Sequence, residues 1–184
     1  LGDVYKRQIQ YRPDGNDFVC VNGKNRYTRA LYGGITDFRI ETSDRPVFAA
    51  YKPKDSKHIC FRLQCGNQSI ALDSLKFCEA RYRAGRRTYR LTDPLLGKGE
   101  LNISVLAFPD AEGGIWRFTM KDMPEGALLH CYISEIRAKN LSRNGDMGAD
   151  RADSFDAPQL PKEQKHYKLS LDGTTAYIVV EDQE

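Results

Sequence analysis

Apolar residues recur at every second position over most of this chain, and nowhere do they settle into the i, i+3, i+4, i+7 spacing of an amphipathic helix. The clearest stretch is 101–107, where Leu101, Ile103, Val105 and Ala107 alternate with Asn102, Ser104 and Leu106, the pattern of a half-buried strand. After the turn residues Glu112, Gly113 and Gly114, Trp116, Phe118 and Met120 alternate with Ile115, Arg117 and Thr119, and the two stretches together predict a hairpin. The same period predicts strands over 18–21, 36–41, 47–51, 59–64, 77–82, 88–92, 128–137, 166–171 and 176–180, with one short helical turn within 67–75. Gly, Pro and Asp clusters separate them at the intervals of an all-β sandwich or barrel. Asn22-Gly23 is the strongest turn signal, because both residues accept positive φ. It predicts a hairpin between 18–21 and the segment that starts at Asn25.

The stretch 140–165 breaks this rhythm: it is polar, carries Gly145, Gly148, Pro158 and Pro161, and reads as a long loop. Asn144, Asp146, Asp150, Asp153 and Asp156 are hard oxygen ligands of the kind calcium takes, but they lack the frame of an EF-hand, so a solvated acidic loop is the expectation. At the other end, Asp3-Val4-Tyr5-Lys6-Arg7-Gln8 is the translation of GAT GTG TAT AAG AGA CAG, which resembles a transposon end used in preparing sequencing libraries. Residues 1–8 are therefore read as a sequencing scar, and 9–184 as a single domain cut at both ends.

A length of 184 residues suits one domain with a sizeable core, and no apolar run approaches the roughly 20 residues of a membrane-spanning helix. The formal charge of +3 comes from Lys and Arg interleaved with Asp and Glu, which gives no case for nucleic acid. The one basic cluster, Arg81-Tyr82-Arg83-Ala84-Gly85-Arg86-Arg87, reads as a hairpin tip with solvated arginines; phosphate or acidic-sugar binding is its alternative. Five cysteines with no CxxC pair argue against a disulfide framework or a zinc ribbon, and the alternation around Cys78 and Cys131 marks both as small buried hydrophobes. His58, Cys60 and Cys65 offer three soft ligands without a fourth, so neither metal nor cofactor is expected.

Motifs for chemistry are few. GxSxG, P-loop, GxGxxG and HExxH patterns are all missing from the sequence. His130 shares its face with Leu128 and Tyr132 and reads as a structural histidine rather than a general base. Glycoside hydrolysis needs two carboxylates about 5 to 10 Å apart. Asp37, Glu41, Glu79 and Asp110 are available, but their spacing predicts no convergence. The candidates for carbohydrate contact are Arg26, Tyr27, Arg29 and Tyr32, since aromatic faces suit sugar rings and guanidinium groups suit uronate carboxylates. Against this stands a packing role, with Tyr27, Leu31 and Tyr32 in the sandwich and both arginines paired to acids. Trp116, alternating with Phe118 and Met120, is expected in the core.

The run NRYTRALYGG, followed by TDFRIE and RPVFAAY, resembles the N-terminal module of large bacterial proteins grouped as domain of unknown function family 4450. These in turn resemble glycoside hydrolases in which a β-sandwich precedes an (α/α)6 six-hairpin barrel. The resemblance implies an antiparallel sandwich of the supersandwich kind and a noncatalytic role, because the acid and base belong to the barrel. It also implies a downstream catalytic domain in the same chain as partner, a role in polysaccharide degradation, and a periplasmic or extracellular location. It supplies no binding residues. A carbohydrate-binding module and a protein-interaction scaffold with no sugar role are the alternatives.

Overall fold

A computed structural model of the chain describes residues 10–52 and 56–135 together with four later strand segments. The strands are β1 (Arg12–Asp14), β2 (Asp17–Val21), β3 (Tyr27–Tyr32), β4 (Arg39–Ser43), β5 (Val47–Tyr51), β6 (Lys57–Cys65), β7 (Gln68–Ala71) and β8 (Phe77–Arg83). They continue with β9 (Arg86–Thr92), β10 (Glu100–Ala107), β11 (Gly114–Lys121), β12 (Leu128–Glu135), β13 (Arg137–Ala138), β14 (Phe155–Asp156), β15 (Ser170–Asp172) and β16 (Thr175–Val180). Helix among the described residues is confined to two 3-10 turns, Leu72–Ser74 and Pro94–Leu96. The first lies within the stretch where a helical turn is predicted.

Two antiparallel sheets face each other. One is eight-stranded, in the order β1-β2-β8-β9-β10-β11-β16-β15; the other runs β12-β6-β5-β4-β3, with β7 also paired to β6. This is the all-β sandwich that the period-two pattern predicts. The 101–107 and 115–120 stretches form the expected hairpin, with Leu101 opposite Met120 and Ala107 opposite Gly114. Their apolar positions point inward, so Leu101, Ile103, Val105, Trp116 and Phe118 are all buried. The facing sheet contributes Leu31, Ile40, Phe48, Ile59, Phe61 and Leu63. Phe48 sits at the centre of this layer, edge to face with Phe61 at 6.0 Å, Tyr89 at 5.7 Å and Trp116 at 5.7 Å between ring centroids.

Three expectations are corrected by the backbone. Asn22-Gly23 does not close a hairpin: β2 pairs with β8 in the large sheet, while β3 pairs with β4 in the small one. Asn22 and Asn25 do adopt positive φ (49° and 56°), but the turn carries the chain from one layer to the other. Asn22 caps the β2–β8 ladder on the way, donating its N–H to Cys78 O (2.8 Å) and accepting from Cys78 N at its side chain (2.9 Å). The two-residue hairpin lies one turn upstream, at Gly15-Asn16, where Asp14 faces Asp17 and Gly15 has φ 59°. The strand expected over 36–41 begins at Arg39, because Thr36 Oγ1 accepts from Phe38 N (3.3 Å) and holds the preceding residues in a turn.

The third correction concerns the basic cluster. Ala84-Gly85 is indeed a hairpin tip, with Arg83 opposite Arg86. Arg87, however, is 0 % exposed, because it shares the inward face of β9 with Tyr89 and Leu91. Of the expected 166–171 strand, the described part is β15; most of the 140–165 loop, with Asn144, Asp146, Asp150 and Asp153, lies outside the described residues, as does the 1–8 segment. Among the described residues, no helix is long and apolar enough to cross a membrane.

Candidate functional site

Among the described residues, polar side chains gather in three places, and two of them hold the sandwich together. At the layer crossing, buried Asp44 accepts from Arg26 N (2.7 Å) and Lys24 N (3.1 Å), fixing the turn that leads into β3. A Cβ on Gly23 would overlap that carboxyl group, which is why the crossing needs glycine there. Ser43 Oγ donates to Asn25 Oδ1 (2.7 Å), and Asn25 Nδ2 donates to Asp73 Oδ2 (2.8 Å). Arg45 reaches the carbonyls of Gly23 (2.9 Å), Asp73 (2.8 Å) and Leu75 (2.9 Å). Each of these bonds satisfies a backbone or side-chain group that would otherwise be costly to bury.

The second cluster surrounds Arg87. Its Nη2 donates to Ser43 O (2.8 Å) and to Tyr11 Oη, and its Nε donates to Tyr89 Oη (3.2 Å). Tyr89 O–H also donates to Ser43 O (2.6 Å), joining the two sheets across the core. Burial pushes the phenols of Tyr89 and Tyr11 up, so both remain neutral, and among the described residues Arg87 has no carboxylate as a hydrogen-bond partner.

The sequence candidates for sugar contact fall apart in this frame. Tyr27 is 0 % exposed and cannot reach a ligand on the surface, which corrects its inclusion. Arg26 is half-buried, and its backbone is tied to Asp44. Arg29 lies between the rings of Tyr11 and Tyr82, 5.3 Å from each centroid, and donates to Thr28 O (2.6 Å). Only Tyr32, at 63 %, is freely exposed, about 17 Å along the strand from Tyr27. The candidate carboxylates do not converge either. Glu41 is buried against Arg39, Glu79 lies on the outer face of the large sheet, and Asp37 and Asp110 sit on exposed loops. His130 bonds Gln64 (3.0 Å) across the β12–β6 ladder, and Trp116 is buried.

The third polar gathering takes in Arg81 and Arg86 of the basic cluster, for which phosphate or acidic-sugar binding is the alternative in the sequence, but the groove they help to line is not legible there. The outer face of β8, β9, β10 and β11 forms a depression of about 480 Å³. Register sets Arg81, Thr88, Ser104 and Arg117 in one row across the strands, and Glu79, Arg90, Asn102 and Thr119 in the next. Glu79 accepts from Arg81 (2.8 Å) and Arg90 (3.4 Å), and its carboxyl is held below the usual 4.5 by the Arg81 hydrogen bond. The hydrogen bond from Arg83 does the same for Asp17. These positions are the polar half of four alternating strands, so the signal was present in the sequence. Only the register assembles it.

All five cysteines are free thiols, as expected from their spacing. Burial pushes Cys60 up to about 11 and Cys78 and Cys131 up to about 12, so the thiolate fraction at neutral pH is minute. Labelling of the folded protein at pH 8 is expected to modify half-buried Cys65 first and to leave Cys60, Cys78 and Cys131 intact until denaturant is added. Rapid modification of Cys78 in the folded state would contradict its burial between the sheets. Among the described residues, no group of three or more His, Cys, Asp or Glu side chains is placed to hold a metal ion.

A family model described as "Domain of unknown function (DUF4450)" matches residues 53–177, more than half of the chain. The 25–51 run that carries the resemblance precedes this span. No curated protein and no solved structure matches the chain significantly.

Proposed function

The chain belongs to the DUF4450 family of domains of unknown function, and from its folded surface we propose that it is a noncatalytic accessory module that packs against another part of its parent protein. The observation that carries this reading is the apolar end of the sandwich. Ile35 is fully exposed there, and Tyr32, three residues earlier at the end of β3, is exposed as well. The 33–38 loop, which carries Ile35, lies backbone against backbone with the 108–113 loop. A Cβ on Gly33 would overlap the Phe108 carbonyl, and one on Gly34 would come within 3.2 Å of Pro109 O. Burying Ile35 contributes about 1.5–3 kcal/mol, and covering the exposed part of Tyr32 adds to it, which favours a neighbouring domain over water on this end.

The resemblance to six-hairpin glycosidases makes a catalytic barrel in the same polypeptide the natural occupant. The carboxylates support the noncatalytic part of the reading. Asp17 and Glu79 are each held by arginines, and Glu41 is buried against Arg39, so these carboxylates do not meet across an open site. A carbohydrate-binding module built on aromatic stacking has less support. Among the described residues the exposed large aromatics are Phe18 and Tyr32, which belong to strands of different sheets.

Sedimentation velocity of the isolated domain tests the docking surface. Concentration-dependent self-association is expected, and it should disappear in the Tyr32→Ser, Ile35→Asp variant without loss of fold. A monomer at all concentrations, or association untouched by those substitutions, contradicts the proposed surface. Glycoside turnover by the pure domain contradicts the noncatalytic role.

A further inference from the structure

We propose that the groove on the outer face of the large sheet binds an acidic saccharide, with its hydroxyl groups over the Thr88–Ser104 floor and its carboxylate or sulfate on Arg117. The inference does not rest on the docking reading, since the groove and the apolar end are different surfaces of the domain.

Charge is the first argument. The groove is lined by four arginines, Arg81, Arg86, Arg90 and Arg117, against one carboxylate, Glu79. That carboxylate is already covered by Arg81 and Arg90, and those two arginines also reach Asp14 (3.0 Å) and Glu100 (3.5 Å), respectively. Arg81 and Arg90 are thereby held in place along one wall. Arg86 and Arg117 are exposed and have no hydrogen-bond or ion-pair partner among the described residues. A planar guanidinium fork with all its donors free is matched by a carboxylate or a sulfate, which it can hold through two parallel hydrogen bonds.

The floor selects the rest of the ligand. Between the Arg81 and Arg117 strands, about 14 Å apart by strand spacing, lie the short polar side chains of Thr88 and Ser104, with Asn102 and Thr119 in the adjoining row. Hydroxyls that both donate and accept suit a polyhydroxylated ring. Asn102 spends one N–H on Glu100 (2.8 Å) and keeps its carbonyl oxygen as an acceptor. Tyr89 and Ile103 meet the groove only through their backbone, because their side chains are buried on the core side of the sheet. Among the described residues that line it, the groove therefore offers no aromatic platform for bases, and phosphodiester binding would use its cations but leave its floor idle.

Isothermal titration of the whole chain with tetragalacturonate, a sulfated tetrasaccharide, neutral cellotetraose and a single-stranded dT oligonucleotide tests the proposal. At least one of the two acidic saccharides should bind, and which of them does identifies the anion; cellotetraose should not bind. Affinity should fall as sodium chloride is raised. Arg117→Gln should weaken binding about 10- to 100-fold while thermal stability is unchanged, since the side chain is exposed and unpaired. Thr88→Val with Ser104→Val should weaken it at constant charge. Failure of both acidic saccharides, equal binding of cellotetraose, tighter binding of the oligonucleotide, or indifference to Arg117→Gln would each overturn the assignment.

Discussion

Replacing Phe48 with alanine is expected to destabilise the domain by about 3–5 kcal/mol, a large share of the stability of an ordinary domain. Phe48 is fully buried on β5 and touches rings from both layers: Phe61 on its own sheet, and Tyr89 and Trp116 on the facing one. Deleting it opens a void bounded by large rings that cannot all collapse inward, because each is anchored to a different strand. Phe61 is itself committed to Phe118 at 4.8 Å, and Tyr89 to the Ser43 carbonyl. Urea denaturation gives the value directly. A loss below about 1 kcal/mol would show that the layers meet elsewhere, whereas Phe48→Leu, which keeps most of the volume, should recover much of the loss.

Arg87→Ala should cost a similar amount, about 3–5 kcal/mol, for a different reason. The guanidinium is enclosed, and through it Tyr11, Tyr89 and the Ser43 carbonyl form one network that reaches from β9 to β4 and to the residue preceding β1. Alanine removes those donors and leaves a cavity. A volume-conserving change separates the two effects. In Arg87→Met, Ser43 O keeps the Tyr89 donor and Tyr11 keeps Thr28 Oγ1 (2.9 Å), so no buried partner is left bare. Methionine should therefore restore at least half of what alanine loses. If the two variants are equally destabilised, the charge itself holds the layers and the cavity is secondary.

Arg87 also shows where reading from sequence stops. Its period-two partners Tyr89 and Leu91 mark an inward face, yet an arginine beside a Gly turn and three further arginines reads as solvated. What decides the matter is Tyr11, whose short approach segment closes over the guanidinium from far away in sequence. The strands themselves were legible wherever one face is wet. Along 101–107 and 115–120 the polar and apolar halves separate cleanly, because each side chain faces either core or solvent. Asn22-Gly23 was misleading for the opposite reason: Asn22 does take positive φ, although Gly23 does not, and propensity does not say which sheet the next strand joins. In the same way, Tyr27 and Tyr32 belong to one short stretch with opposite fates, since β3 buries its start under the layer crossing and exposes its end. The arginine groove needed four strands in register before Arg81 and Arg117 faced each other across Thr88 and Ser104.

The accessory role is tested most directly by amide hydrogen exchange, compared between the domain alone and the complete parent polypeptide. If the apolar end is the docking surface, the 33–38 and 108–113 loops should exchange at least about tenfold more slowly in the parent, while groove strands β8 and β9 remain unchanged. Equal exchange of both loops in the two proteins would contradict the account, because Ile35 and Tyr32 would then be as open to solvent in the parent as they are in the isolated sandwich.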